Sequence, residues 1–233
     1  MQTDSATSRS YSFQQVKDLS RRCASALNKR GFKKGDVFAL FLPNVPQFPV
    51  VYFGVLQAGG VVTSANPLFT TEELAKQLKQ ADAKWILTVP QLVHRAKEAM
   101  GELGRENVFV VGDVDGCESV SVLLKDDGSS VPEVTINPKE DAAVIPFSSG
   151  TTGHPKGVVL THYNLIACGS IMRAKGFLSF DETTVLLAFL PFFHSFGMVA
   201  NMSMGLHSGS SLVTMPRFER EKFLKALQRF EVS

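Results

Sequence analysis

Cysteine is scarce in this chain: Cys23, Cys117 and Cys168 are far apart, odd in number and without a Cys-x-x-Cys spacing. That argues against a disulfide framework and against a zinc site, and it favours a reducing compartment. Long apolar runs are missing too. The longest, Val185 to Phe193, falls far short of the ~18 residues that suggest a membrane span. Met1 to Ser10 is polar and carries no apolar signal core, so a soluble protein is expected. Neither sign of charge dominates. The 24 basic and 22 acidic residues give a net charge of +2 and form no long like-charge runs, so no footprint for nucleic acid or acidic lipid is present. Internal repeats and low-complexity tracts are absent as well. What remains is globular material, 233 residues with 44% hydrophobic and 20% charged, long enough to bury a sizeable core.

Apolar stretches rich in β-branched and aromatic residues alternate with segments of helical period, the mark of α/β architecture with parallel strands. Asp36 to Leu42 reads as a buried strand, Val45 to Gln57 as a helix and Val61 to Ser64 as the next strand after the Gly59-Gly60 break. Thr70 and Glu73 have capping-box spacing, which predicts a helix from about Thr71 to Gln80. Trp85 to Val89 and Val108 to Val111 read as strands flanking a helix at Gln91 to Leu103. Gly112 to Pro138 is rich in Asp, Gly, Ser and Pro and reads as a linker or surface excursion. This divides the chain into a first α/β subdomain over residues 1–137 and the start of a second over residues 138–233. Near the end, Glu219 to Phe230 reads as an amphipathic helix with Phe223, Leu224, Leu227 and Phe230 on one face and a Glu221–Lys225 pair. A further strand is expected to cover that face.

The densest chemical signal is Ser148-Ser149-Gly150-Thr151-Thr152-Gly153-His154-Pro155-Lys156-Gly157, between a predicted strand, Ala142 to Phe147, and a second one starting at Val158. Glycines let backbone N–H groups approach a ligand, hydroxyls donate hydrogen bonds and the lysine neutralises charge, which are the parts needed to wrap a polyphosphate. This is not a Walker A loop, because Pro155 stands where that motif has glycine before its lysine, and strand formers follow Lys156. A Gly/Ser/Thr-rich hairpin turn without a ligand is the plain alternative, and the full string with its lysine speaks against it.

Three stretches carry a family resemblance in order: Leu56 to Pro67 (LQAGGVVTSANP), Ser148 to His162 (SSGTTGHPKGVVLTH) and Leu190 to Met198 (LPFFHSFGM); Tyr11-Ser12-Phe13 resembles the opening strand. Together they resemble the adenylate-forming (AMP-binding) superfamily, in the branch of acyl-CoA synthetases, 4-coumarate-CoA ligases and firefly-type luciferases. The resemblance implies parallel-rich sheets with flanking helices, part of the large N-terminal domain of such an enzyme. It implies an acid–thiol ligase that makes acyl-AMP from a carboxylic acid and ATP, then acyl-CoA, with ATP, Mg2+ and CoA as cofactors. Ser148, Ser149, Gly150, Thr151, Thr152, Gly153 and Lys156 are then expected at the ATP phosphates. His194, with Ser195, Phe196 and Gly197, is expected at the acyl substrate, Gly197 keeping room near the histidine ring. His194 and Lys156 are the expected catalytic residues, and Arg217 is the expected contact to CoA phosphates. No residues are assigned to the metal.

Superfamily members are more than twice as long and carry later segments for adenine, ribose and metal, and a C-terminal lysine, so this stretch alone is expected to be inactive. A luciferin monooxygenase, a short non-catalytic binding isoform and an unrelated phosphotransferase remain alternative readings. The branch also implies an intracellular setting, peroxisomal or cytoplasmic, and a role in fatty acid metabolism.

Overall fold

The structure, a computed structural model, describes residues 1–148, 155–174 and 179–233. In chain order the strands are β1 Gln2–Asp4, β2 Ser10–Tyr11, β3 Val37–Phe41, β4 Val61–Ser64, β5 Ala83–Thr88, β6 Asn107–Val110, β7 Glu118–Ser119, β8 Ala142–Val144, β9 Phe147–Ser148, β10 Lys156–Gly157, β11 Leu160–Thr161, β12 Val185–Ala188 and β13 Ser211–Thr214. The α-helices are α1 Phe13–Lys29, α2 Gln47–Gln57, α3 Thr71–Gln80, α4 Val93–Gly101, α5 Ser121–Leu124, α6 His162–Arg173, α7 Met204–His207 and α8 Arg220–Arg229. A π-helix spans Gly197–Ser203.

Contacts divide the chain into two units. One comprises Met1–Lys17, Pro43–Pro49 and Tyr163–Ser233, the other Asp18–Leu42 and Val50–His162. The grouping differs from the division into residues 1–137 and 138–233, and strand pairing gives the reason. β8 does not open a new sheet but joins the earlier one, parallel to β4 through Val62↔Val144.

In the second of these units a seven-stranded sheet runs β11-β8-β4-β3-β5-β6-β7, parallel throughout except for the antiparallel β11–β8 pair. β3 is central and wholly buried, as its unbroken VFALF sequence requires of a strand covered on both faces. Phe32, Trp85, Phe109 and Phe38 form a chain of ring contacts 5.7–6.3 Å between centroids across this core. Each such ring contributes roughly 1.5–3 kcal/mol by burial. The Gly59-Gly60 break is a true turn. Gly59 has φ +77° just past the end of α2, and a Cβ on Gly60 would lie 2.4 Å from the Phe32 ring.

The expected linker, Gly112 to Pro138, includes the edge strand β7 and the short α5, followed by irregular chain. Ion pairs hold that segment: Lys29 to Asp126 and Asp127 at 2.9 and 2.7 Å, Arg30 to Glu118 at 2.6 Å, and Lys34 to Asp141, just beyond it, at 2.7 Å.

In the other unit a four-stranded sheet runs β12-β13-β1-β2, with β12, β13 and β1 parallel and β2 antiparallel. No further strand is needed to cover the apolar face of α8, contrary to expectation. Phe223, Leu227 and Phe230 pack against Leu187, Val213 and Met215 of this sheet and its exit, with Ala226 buried between them. Leu224, expected on the same face, is exposed instead, and the ion pair that forms is Lys222–Glu219 at 2.9 Å rather than Glu221–Lys225. After α8 the chain turns back, and the Ser233 N–H donates to the Val185 carbonyl of β12 at 3.1 Å.

Candidate functional site

The strands on either side of the Gly/Ser/Thr stretch pair with each other. β9 and β10 pair antiparallel, with Lys156 opposite Ser148 and Gly157 opposite Phe147. Residues directly opposite on paired strands project to the same face, so the side chains of Lys156 and Ser148 share one face of the pair. Both are exposed. Ser149, Gly150, Thr151, Thr152 and Gly153 lie outside the described residues.

The pair is anchored from below. The Ile145 N–H donates to the Val62 carbonyl at 2.8 Å, the Thr63 hydroxyl donates to the Ile145 carbonyl at 2.8 Å, and Leu160 of β11 pairs with Val144 of β8. Buried sheet thus anchors a strand pair on which Ser148 and Lys156 are exposed. No helix follows Lys156 directly, since α6 begins only at His162, in agreement with the distinction from a Walker A loop. Burial pushes the His162 imidazole pKa down despite the nearby Asp141 carboxylate, and its Nε2 is buried without a hydrogen-bond partner among the described residues.

The second motif is built in the other unit at the carboxyl edge of the β12–β13 pair. These strands are parallel with Ala188 opposite Thr214, so the chains leaving them, one toward His194 and the other toward Arg217, emerge from the same sheet edge. Ligands of open α/β sheets bind at such edges. The two exits touch: Phe189 after β12 and Phe218 after β13 have ring centroids 6.0 Å apart, and Phe223 of α8 meets both at 5.2 and 5.3 Å. Arg217 is exposed and has no ion pair among the described residues.

His194 sits on a tight turn that feeds the π-helix. Its N–H donates to the Pro191 carbonyl at 3.1 Å, and its own carbonyl accepts from the Met198 N–H at 2.9 Å. The Phe196 N–H donates to the ring Nδ1 at 3.4 Å, which leaves the neutral ring its proton on Nε2. His194, Ser195 and Phe196 are exposed, so a hydrogen-bond donor, a hydroxyl and an aromatic face are presented together.

Gly197 plays a part different from the one its motif suggests. It is buried, and a Cβ there would lie 2.1 Å from the Pro191 carbonyl oxygen and 2.9 Å from that of Leu190. The space it leaves is filled by backbone, so its absent side chain permits the turn itself. A π-helix is rare and frequent at functional sites, and this one begins within that turn.

One residue of the turn went unread in the sequence. Asn44, only 3% exposed, donates from Nδ2 to the carbonyls of Ala188 at 2.8 Å and Leu190 at 2.9 Å, and its Oδ1 accepts the Phe192 N–H at 2.8 Å. The one available signal was a polar residue between two prolines, Pro43 and Pro46, directly after a buried strand. Among the described residues no three His, Cys, Asp or Glu side chains gather as a cation site.

Parallel-rich sheets with flanking helices, carrying a Gly/Ser/Thr/Lys loop and an aromatic–histidine turn, define the N-terminal domain of the adenylate-forming enzymes. The family model for AMP-binding enzymes matches residues 3–233, and the chain belongs to that family. It is 36% identical over 230 residues to 4-coumarate–CoA ligase 1 of Petroselinum crispum, an alignment covering 98% of this chain and 42% of that protein. Among solved structures it is similar to a long-chain-fatty-acid–CoA ligase of Archaeoglobus fulgidus (TM-score 0.85, 26% identity, 99% of this chain and 46% of that one). It is also similar to ATP-bound MatB of Rhodopseudomonas palustris (TM-score 0.84, 25% identity, 98% and 44%). The chain thus spans less than half the length of each of these relatives. No helix among the described residues is long and apolar enough to cross a membrane.

Proposed function

We propose that residues 1–233 supply the phosphate loop and the carboxylate-positioning turn of an AMP-forming acid–thiol ligase. In the first step a carboxylate oxygen attacks the α-phosphorus of ATP, forming acyl-AMP and releasing pyrophosphate. In the second the CoA sulfur attacks the acyl carbon, forming the thioester and releasing AMP. The observation that carries this reading is the strand pair that sets exposed Lys156 opposite exposed Ser148 beside the Gly/Ser/Thr stretch. An ammonium and a hydroxyl held by a rigid sheet can neutralise phosphate charge without reorganising during reaction.

His194 serves the same step from the acyl side, its Nε2–H orienting the carboxylate, with Ser195 and Phe196 beside it. Preorganised donors of this kind act mainly on the way to the transition state. Arg217, exposed at the same sheet edge, is the candidate for the CoA phosphates, because a guanidinium grips phosphate bidentately. Magnesium, when bound, would neutralise the triphosphate, but none of the described residues is assigned to it. The resemblance extends the reading to an intracellular enzyme, cytoplasmic or peroxisomal.

Since the aligned relative is more than twice as long, the test uses a polypeptide of full ligase length that carries residues 1–233 in the place of the matching 42%. Lys156→Ala in that protein is expected to slow carboxylate-dependent exchange of pyrophosphate into ATP. One charge-assisted phosphate contact is worth about 1.5–3 kcal/mol, or roughly 10- to 150-fold. An unchanged exchange rate would remove Lys156 from the phosphate site.

A further inference from the structure

We propose that Asn44 is the positioning residue of the His194 turn, holding the chain between β12 and the π-helix so that the imidazole meets the carboxylate. This rests on the role of His194 proposed above.

Asn44 lies between Pro43 and Pro46 just after β3, far from His194 in the chain, yet its one side chain engages three backbone groups of the segment that leads to the histidine. Nδ2 takes both the Ala188 and the Leu190 carbonyls, and Oδ1 takes the Phe192 N–H. Ala188 is the last residue of β12, and its carbonyl also accepts the Met215 N–H at 3.1 Å after β13. The amide therefore fixes the point at which the chain leaves the sheet. Such segments have no ladder of their own, and buried backbone groups left without partners cost about as much as lost hydrogen bonds. Only a planar amide offers two donors and an acceptor in this arrangement.

A second contact from the same segment points the same way. Phe48 packs edge-on against Phe192 with centroids 5.4 Å apart, and both rings are fully buried. Leu190 and Phe192 are thus held through Asn44, and Phe192 also by ring packing with Phe48, while His194, Ser195 and Phe196 remain exposed. From Pro191 onward the turn has no slack, because its carbonyl accepts the His194 N–H and also abuts Gly197. A shift at Leu190 or Phe192 must carry to the imidazole. Displacements of about 1 Å in such supports cost on the order of 100-fold in rate.

The test is a double-mutant cycle on acyl-adenylate formation in the full-length ligase, with kcat and the KM values for carboxylate and ATP measured separately. Asn44→Ala is expected to lower kcat about tenfold with histidine present and less than about twofold in the His194→Ala background, with the KM for ATP within about twofold. Asn44→Asp keeps the acceptor for Phe192 and the shape but loses both donors, and is expected to repeat the pattern; it replaces the alanine variant if that does not fold. In the 233-residue chain itself, the His194 ring resonances in nuclear magnetic resonance spectra should move in either variant, while those of His94 stay in place. Equal loss in both backgrounds, or a KM for ATP rising in step with the loss, would overturn the proposal and leave the role of His194 standing. If His194→Ala alone has no effect on adenylation, the role of His194 falls, and this proposal with it.

Discussion

Burial decides what single residues can do here. Cys23 is fully buried, and burial pushes its thiol pKa up to about 12, so almost none of it is thiolate at neutral pH. A thiol-reactive disulfide reagent should therefore label the half-buried Cys117 and Cys168 in the native chain and reach Cys23 only on unfolding. Gly197 makes the opposite case, a site where a single added methyl group meets backbone that cannot yield. Gly197→Ala should destabilise the chain by about 1–3 kcal/mol in urea titrations. Gly101→Ala, at the end of α4 with open space around the added Cβ, should leave the midpoint unchanged or raise it. The motif shows that Gly197 matters, but not which neighbour makes it matter. Only the path of Pro191 reveals that, and nothing in the local sequence encodes a carbonyl 2.1 Å from where a Cβ would stand.

At the level of elements, legibility followed the strength of local signals. α3 runs from Thr71 to Gln80 as its spacing predicts, and both halves of the capping box form, Thr70 Oγ1 accepting from the Glu73 N–H and the Glu73 carboxylate from the Thr70 N–H. Thr70→Ala should cost about 1 kcal/mol of stability, measurable by chemical denaturation. β4 also matches residue for residue, and β3, β5, β6 and α8 lie within two residues of their expected ends. α1 was missed although Ser12 and Gln15 form the same reciprocal cap, at 2.8 and 3.1 Å. Its buried side, Val16, Ser20, Cys23, Ala24 and Leu27, also recurs at helical spacing, so both its cap and its period stood in the sequence. β1 was missed because it pairs with β13 across more than 200 residues (Gln2↔Leu212), a partnership no local window contains; β13, which also pairs with the nearby β12, was missed as well. Ala142 to Phe147 was read as one strand, and Pro146 divides it into β8 and β9.

At the scale of the molecule, charge ties an irregular segment down. The Asp127 carboxyl is held well below the usual carboxylate range by its hydrogen bond to Lys29 and by the Ser129 N–H and hydroxyl. Asp141 is lowered by Lys34 and the Asn137 N–H. In Asp126, burial works upward, but the Ser25 hydroxyl, Lys29 and the Gly128 N–H outweigh it and the pKa falls. Carboxyls whose folded pKa lies below the unfolded value of about 3.9 add stability above that pH and lose it as pH drops through the folded values. Hydrogen-exchange protection at Gly128, Ser129 and Ser130, whose amides bond to Asp126, Asp127 and Ser25, should therefore hold above about pH 4 and fall below it. Lys29→Met should weaken that pH dependence, and protection that stayed flat across the range would show that packing, not charge, fixes the segment.

The two motifs were legible as chemistry before they were legible as geometry. Hydroxyls, glycines and one lysine are the parts a phosphate loop needs in any fold, whereas the support of the histidine turn by Asn44 exists only once the chain is folded. The central claim is that this chain serves carboxylate activation by ATP, and its most direct test is exchange of labelled pyrophosphate into ATP by the full-length ligase carrying residues 1–233. The account predicts exchange that appears only when a carboxylic acid is added, together with an acyl-AMP detectable by mass spectrometry. ATP turnover that needs no carboxylate and survives His194→Ala, with no acyl-AMP formed from any acid supplied, would contradict it.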